Sequence, residues 1–115
     1  MLVAQLIKRR KIYVANKDEI VNDMHTYLEP FEVSTTINSV SGSQEILAYG
    51  DRTFNMLRLV LDYDYLDKIS ENDMAYVYAD HTDDNEYCLK ADYKVESVRP
   101  QNLKTIVYLE RNLKK

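Results

Sequence analysis

Acidic residues surround one of the two histidines, in the run Asp80-His81-Thr82-Asp83-Asp84. Carboxylate oxygens in a loop are ligands that Ca²⁺ and Mg²⁺ prefer. A metal-dependent nuclease would use Asp80, Asp83 and Asp84 in this way. However, the spacing and the central glycine of an EF-hand are missing, and an acidic hairpin loop is the commoner outcome for such a run. We therefore expect no metal site and no cofactor, and keep the nuclease as an alternative.

Other residue types that carry catalysis do not occur at productive spacings. Cys88 is the only cysteine, which excludes an internal disulfide, and we expect it to be a small buried hydrophobe. Neither His25 nor His81 lies in a pattern that pairs it with a nucleophile. The sequence also lacks a phosphate loop and a dinucleotide fingerprint. We therefore expect a binding or structural protein and not an enzyme.

The size and charge of the chain limit its class further. Its 115 residues are 45% hydrophobic, which is enough for one domain with a modest core. A net charge of −4 argues against a dedicated nucleic-acid binder, because DNA affinity comes mainly from neutralising phosphates. No apolar run approaches the roughly 20 residues that span a bilayer, and no targeting segment is recognisable. We expect a protein that is made in the cytoplasm and does not bind a membrane.

Basic residues and tyrosines are the candidates for contacts with other proteins. One basic run comprises Lys8, Arg9, Arg10 and Lys11. Such a run is typical of a solvated strand edge, or of a docking site for an acidic partner. The chain also has ten tyrosines, a residue type that is enriched at interfaces. Tyr76 and Tyr78 share one face of a predicted strand and are candidate contact residues.

Alternating hydrophobicity predicts six strands that would position these residues. They cover residues 8–14, 31–38, 55–61, 74–79, 87–98 and 104–111. Leu57, Leu59 and Leu61 share a face that we assign to the core. Residues 16–29 are expected to form either a short helix or a long hairpin loop. Residues 99–102 are expected to form a turn, because the proline at position 100 cannot continue the strand pairing. The pattern predicts a mostly β domain, either a small antiparallel β-barrel or a sandwich.

The only two glycines, Gly42 and Gly50, flank one short segment. Ser41 and Gln44 have capping-box spacing, in which each side chain satisfies a backbone N–H at a helix start. Gly50 lies where a helix would end in the left-handed conformation, which glycine adopts without a Cβ clash. We therefore predict a two-turn helix in an insertion at about residues 41–53, which either covers an open barrel end or meets a partner.

The order of these segments resembles the head-completion proteins of long-tailed phages, which are also called stoppers or head-tail connector proteins. The strongest match is a Ser-Gly-x-x-Glu helix that ends in Tyr-Gly, and it comprises Ser41, Gly42, Gln44, Glu45, Tyr49 and Gly50. The next is the Tyr-x-Val-x-x-Val-x-Pro pattern at 93–100, and the resemblance covers about residues 12–109. Relatives often carry an Asp-x-x-Gly-Asn turn in the early acidic stretch, whereas residues 18–23 contain no glycine here.

This resemblance implies a virion structural protein, a small β-barrel that assembles into a ring. The ring would lie beneath the phage portal and adaptor proteins, contact the tail proteins and help to retain packaged DNA, which passes without sequence-specific binding. Two segments would contact the channel or a neighbouring ring, namely the insertion at 41–53 and residues 16–29. Residues 8–11 would dock on an acidic partner. The alternative within the same connector is a tail-completion or adaptor protein, and a generic oligomeric binding module is a further one.

Overall fold

Eight β-strands and two short 3₁₀ helices make up the fold in a computed structural model, which describes residues 9–40, 50–82 and 84–112. The 3₁₀ helices cover Gly50–Asn55 and Tyr63–Asp67. Within these ranges, neither helix has the length and apolar character needed to cross a membrane. The strands are β1 (Arg9–Ala15), β2 (Lys17–Val21), β3 (Met24–Tyr27), β4 (Phe31–Ser39), β5 (Met56–Asp62), β6 (Met74–Tyr76), β7 (Tyr93–Gln101) and β8 (Lys104–Arg111).

Six of these strands close into an antiparallel barrel in the order β1-β4-β5-β8-β7-β6, which confirms the predicted fold class. Closure pairs each barrel strand with neighbours on both sides along at least part of its length, and so it leaves little edge for another chain. The strands β2 and β3 form a separate two-stranded sheet outside the barrel. The segment 16–29, for which the sequence left two possibilities open, is therefore a β-hairpin with its flanking residues.

The inward faces of the strands form the main core. Leu57 pairs with Leu109 and Leu59 with Val107, so apolar residues oppose one another inside the barrel. The predicted core face of β5 is confirmed, since Leu59 and Leu61 are fully buried and Leu57 packs against them. Two buried threonines in this core also have their hydroxyl groups hydrogen-bonded. Thr35 donates to the carbonyl oxygen of Val60, and Thr105 donates to that of Tyr63.

The two strand boundaries that flank the loop between β6 and β7 differ from the predicted ones. The strand β6 ends at Tyr76 rather than at residue 79, because the carboxylate of Asp92 accepts hydrogen bonds from the backbone N–H groups of Val77 and Tyr78, at 2.9 Å each. These two groups therefore need no strand partner. β7 correspondingly begins at Tyr93 and not at residue 87.

The turn predicted at residues 99–102 is wrong, because β7 continues through Pro100, which pairs with Thr105. Only the first residues of β7 pair with β6. Pro100 therefore lies where β7 has a paired neighbour on one side only, and there a missing N–H costs no strand pairing. The turn is shorter and later, at Asn102 and Leu103, whose φ angles of 52° and 66° belong to a two-residue type I′ turn.

Replacement of Leu103 by glycine should stabilise the protein. Leu103 is 84% exposed, so its side chain adds little burial, while its left-handed backbone strains any residue with a Cβ. We expect Leu103→Gly to raise the free energy of unfolding by about 1 kcal/mol in urea titrations. Leu89→Gly, at an exposed loop position without positive φ, should instead lower it. A destabilising Leu103→Gly would contradict this reading of the turn.

Two smaller apolar clusters lie on the outer face of the barrel. One covers β1 and β6 and contains Met74 and Tyr76 with Cys88 and Ala91 of the following loop. The other covers β5 and β8 and contains Val40, Met56, Ile106 and Tyr108. The chain leaves β4 and returns through the 3₁₀ helix at Gly50–Asn55 next to this second cluster.

Candidate functional site

The hairpin of β2 and β3, here called the hairpin arm (residues 17–27), is held together locally. Its turn residues Asn22 and Asp23 have φ angles of 54° and 65°, which a type I′ hairpin turn requires. Within the arm, the Thr26 hydroxyl accepts a hydrogen bond from the backbone N–H of Glu19 and donates one to its carbonyl oxygen. Asparagine and aspartate tolerate left-handed backbone better than most residues, so this turn forms without a glycine.

The tip of the hairpin arm is apolar and exposed. Ile20 is 64% exposed, Val21 37% and Met24 39%. A two-stranded hairpin is marginally stable by itself, and grouped exposed apolar side chains mark interaction sites. The acidic residues of the arm, Asp18, Glu19 and Asp23, surround this tip in sequence. The arm therefore exposes Ile20 on one face and Val21 with Met24 on the other, next to acidic residues.

The root of the hairpin arm is anchored by one buried carboxylate. Asp73 is 1% exposed and accepts hydrogen bonds from the side-chain amide of Asn16 (2.7 Å) and from the backbone N–H groups of Lys17 (3.0 Å) and Ser70 (2.9 Å). The backbone N–H of Tyr27 also donates to the carbonyl oxygen of Glu86 at 2.7 Å. Both strands of the arm therefore leave the barrel from fixed positions.

The second exposed feature is a cluster of Arg10, Tyr78 and Tyr93, and Lys11 lies on the opposite face of β1 from Arg10. The guanidinium of Arg10 lies 4.6 Å from the ring centroid of Tyr78, which is 61% exposed, and this ring meets Tyr93 edge-on at 6.3 Å. Lys11 lies 3.7 Å from the carboxylate of Glu32. Of the predicted basic run, Lys8 and the side chain of Arg9 lie outside the described residues.

Tyr76, by contrast, is a core residue, which contradicts its prediction as a contact residue. It is 1% exposed, and its hydroxyl donates to a carboxylate oxygen of Asp84 at 2.6 Å. Burial and this hydrogen bond raise the pKa of Tyr76 well above its ordinary value. The alternation of β6 places Tyr76 on the face that points away from the main core, but the loop after β6 covers that face.

The acidic loop after β6 uses its carboxylates to hold its own backbone. Asp84 accepts hydrogen bonds from the backbone N–H groups of Asn85 and Lys90 in addition to the Tyr76 hydroxyl. Burial alone would raise the pKa of Asp84, but these donors outweigh it and lower the pKa. Asp80 accepts from the backbone and hydroxyl of Thr82. Asp83 lies outside the described residues, and among the residues that are described no three His, Cys, Asp or Glu side chains are placed to hold a metal.

His81 and Cys88 have packing roles in the same region. The imidazole of His81 stacks on the ring of Tyr13 at 3.7 Å, with an interplanar angle of 22°. Cys88 is 3% exposed and burial raises the pKa of its thiol, which confirms the prediction of a small buried residue. Both side chains line a cleft of about 260 Å³ beside Tyr27 and Asp84.

Most of the predicted insertion lies outside the described residues. Ser41, Gly42, Gln44, Glu45 and Tyr49 lie outside the described residues, as does the predicted helix up to Gly50. Gly50 itself has a φ of 61°, so its predicted left-handed conformation is confirmed. It begins the 3₁₀ helix, in which the Thr53 hydroxyl donates to the Gly50 carbonyl oxygen at 3.1 Å.

An ion-pair network that the sequence did not predict fixes this end of the insertion. Nη2 of Arg52 lies 2.8 Å from a carboxylate oxygen of Glu96 and 2.7 Å from one of Glu110, and Nε donates to the other Glu110 oxygen at 3.0 Å. The bond from Arg52 lowers the pKa of Glu110, whereas Glu110 and then Glu96 raise the pKa of Arg52. The guanidinium thus joins the insertion to β7 and β8.

The contribution of this network should depend on pH. A carboxyl group whose pKa falls on folding stabilises the fold above its unfolded pKa, here 4.5, and this stabilisation is lost as the pH falls through the lowered value. At pH 7 we expect Arg52→Ala to cost about 0.5–1 kcal/mol, since the pair is partly solvent-screened. Urea titrations should show this difference shrinking as the pH is lowered below 4.5. Lys104→Ala, which removes the exposed pair with Asp62 at 3.7 Å, should change little at either pH; a constant cost for Arg52→Ala would contradict the assignment.

Comparison of the chain with protein-family models, with curated proteins and with solved structures gives no match.

Proposed function

We propose that this chain is a structural protein of a phage virion, a head-completion protein that closes the head and joins it to the tail. It forms a ring that meets the portal and adaptor proteins on one side and the tail proteins on the other, and it helps to retain packaged DNA. The observation that carries this proposal is a closed antiparallel barrel with an exposed apolar hairpin arm on an anchored root. The small β-barrel is the fold that the resemblance implies.

The way in which the barrel closes supports a role in assembly through projecting parts. Barrel strands have few free backbone groups to offer to a neighbour, so partner contacts have to use side chains, loops and the arm. Because hydrogen bonds hold its root, the arm keeps a fixed orientation relative to the barrel before any partner binds. A surface that is fixed before binding loses less conformational freedom in an interface.

The charge of the chain supports a position next to moving DNA. The net charge is −4, and the hairpin arm is itself acidic. Acidic surfaces repel phosphate, so a ring with this charge would let DNA slide without adhering to it.

The strand content favours the head-completion role over the adaptor role. Connector adaptors are largely helical, whereas the described residues form strands and two 3₁₀ helices. The barrel is therefore a better match for the stopper position than for the adaptor position.

Electron microscopy of particles assembled without this chain tests the proposal. We expect filled heads that leak DNA and carry no tail, and we expect purified protein added to such heads to restore tail joining. As a matched control, protein unfolded and kept in urea until mixing should restore nothing. Normal, infectious particles in the absence of the chain would overturn the proposal.

A further inference from the structure

We infer that the outer face of β5, β8 and β7, here called the arginine face, binds an acidic segment of a partner protein. Its centre is the cross-strand row Arg58, Tyr108 and Ser97, with Arg99 diagonal to Tyr108. The inference goes beyond the proposed function, because the contact belongs to the isolated chain and requires no ring.

The strand registers place both arginines on the same side of the sheet. Arg58 is paired with Tyr108 and lies between two leucines that face the core, so its side chain points outwards. Arg99 is paired with Ile106, which belongs to the same outer cluster as Tyr108. The guanidinium carbon of Arg99 lies 5.6 Å from the centroid of the Tyr108 ring. The two arginines therefore lie on strands to either side of one tyrosine, on the outside of the barrel.

Neither arginine is paired with a carboxylate inside the chain. Among the residues that the structure describes, the ion pairs join other groups, and none of them includes Arg58 or Arg99. Glu110 is a diagonal neighbour of Arg58, since its partner on β5 is Met56. However, Arg52 already binds both carboxylate oxygens of Glu110, at 2.7 and 3.0 Å. The two guanidinium groups therefore remain available for an external anion.

The charge of the arginine face is opposite to that of the whole chain. Its described side chains, together with the ion pairs at its two ends, carry two more positive charges than negative ones, whereas the net charge of the chain is −4. The positive residues are Arg52, Arg58, Lys94, Arg99 and Lys104, and the negative ones are Asp62, Glu96 and Glu110. A local surplus of this kind attracts and orients a partner of the opposite charge.

The form of the face favours carboxylates of a protein over a nucleic acid. A guanidinium presents a planar fork of N–H groups that matches the two oxygens of a carboxylate. Tyr108 is only 7% exposed, so its ring offers no free surface on which a base could stack. Two excess charges also fall short of the roughly six to ten phosphate contacts that give DNA-binding proteins their affinity. A segment with two or more carboxylates is the better fit.

The basic run at residues 8–11 is a less suitable site for the same partner. Its described members Arg10 and Lys11 lie on opposite faces of β1. Lys11 is 3.7 Å from the carboxylate of Glu32, and Arg10 lies over Tyr78, whose backbone N–H is bound by the Asp92 carboxylate. Arg10 and Lys11 therefore provide a matched control, with the same change of charge on a different surface.

Binding of a fluorescein-labelled acidic peptide tests the inference in the isolated full-length chain. The probe is a short peptide in which glutamate alternates with serine, and a peptide with glutamine in place of glutamate is the neutral control. Fluorescence anisotropy should show that the unchanged protein binds only the acidic probe. Arg58→Glu with Arg99→Glu should weaken this binding at least about tenfold. Arg10→Glu with Lys11→Glu should leave it nearly unchanged at physiological salt, where charges are screened beyond about 8 Å.

A conservative variant keeps the test decisive if the glutamate variant does not fold, which circular dichroism and thermal unfolding would show. Arg58→Lys with Arg99→Lys retains the charge but lacks the planar fork, so it should bind the acidic probe clearly more weakly than the unchanged protein. A lysine variant that binds as tightly would overturn the inference.

Three further results would also overturn the inference. One is that the unchanged protein does not bind the acidic probe up to about millimolar concentration. Another is that the variant of Arg10 and Lys11 loses as much affinity as the variant of Arg58 and Arg99. The last is that a labelled DNA duplex binds the unchanged protein more tightly than the acidic peptide does, because the face would then be a nucleic-acid site.

Discussion

Asp73→Ala is expected to lower the free energy of unfolding by about 3 kcal/mol at pH 7. Asp73 is 1% exposed, and its carboxylate accepts three hydrogen bonds, from Asn16, Lys17 and Ser70. Alanine leaves these donors without their acceptor in a place where water has little access. Urea titration measures the loss, and faster amide hydrogen exchange in the hairpin arm should accompany it.

Two further variants make this expectation specific. Asp73→Asn keeps the shape of the side chain but turns one acceptor into a donor that faces donors, so it should also be clearly destabilising. Asp67→Ala removes a carboxylate from an exposed position of the neighbouring 3₁₀ helix and should stay within about 0.5 kcal/mol of the unchanged protein. A cost for Asp73→Ala below about 1 kcal/mol would show that the arm is anchored in another way.

Serine at the three apolar positions of the arm tip should abolish head-tail joining while leaving the barrel intact. The variant combines Ile20→Ser, Val21→Ser and Met24→Ser, which lie at exposed positions. Loss of a central apolar contact costs an interface 2 kcal/mol or more, so we expect infectious particles to fall on the order of 100-fold. Val21 and Met24 are 37% and 39% exposed, so we expect a modest fall in the midpoint of thermal unfolding while the barrel stays folded.

Leu89→Ser is the matched control for this variant. It removes an apolar side chain of similar exposure, 53%, from the loop after β6 and should leave the particle count unchanged. A normal count for the tip variant would contradict a role of the arm in assembly. A large drop in its unfolding midpoint would mean that the tip packs within the chain.

The barrel could be predicted because burial imposes alternation on its strands. Leu57, Leu59 and Leu61 face the core in the way that their spacing requires. The hairpin arm could not be predicted because its strands are exposed on both faces, and Thr26 is its one buried residue. Without a buried face, no period-two pattern distinguishes such a strand from a helix or a loop.

The candidate site was predicted only in part, because its structure depends on contacts between side chains that are far apart in the sequence. The alternation made Tyr76 a candidate contact residue but did not reveal the loop that covers it. Similarly, the hydrogen bonds of Asp92 end β6 early, and Arg52 reaches carboxylates on two other strands. None of these partners can be identified from spacing along the chain.

Cryo-electron microscopy of the head-tail joint of the mature virion is the most direct test of the head-completion role. The expected density is a ring of six-stranded barrels between the adaptor and the tail, with a hairpin arm extending from each barrel. Virions that lack this chain, or that carry it only at a site away from the joint, would contradict the role.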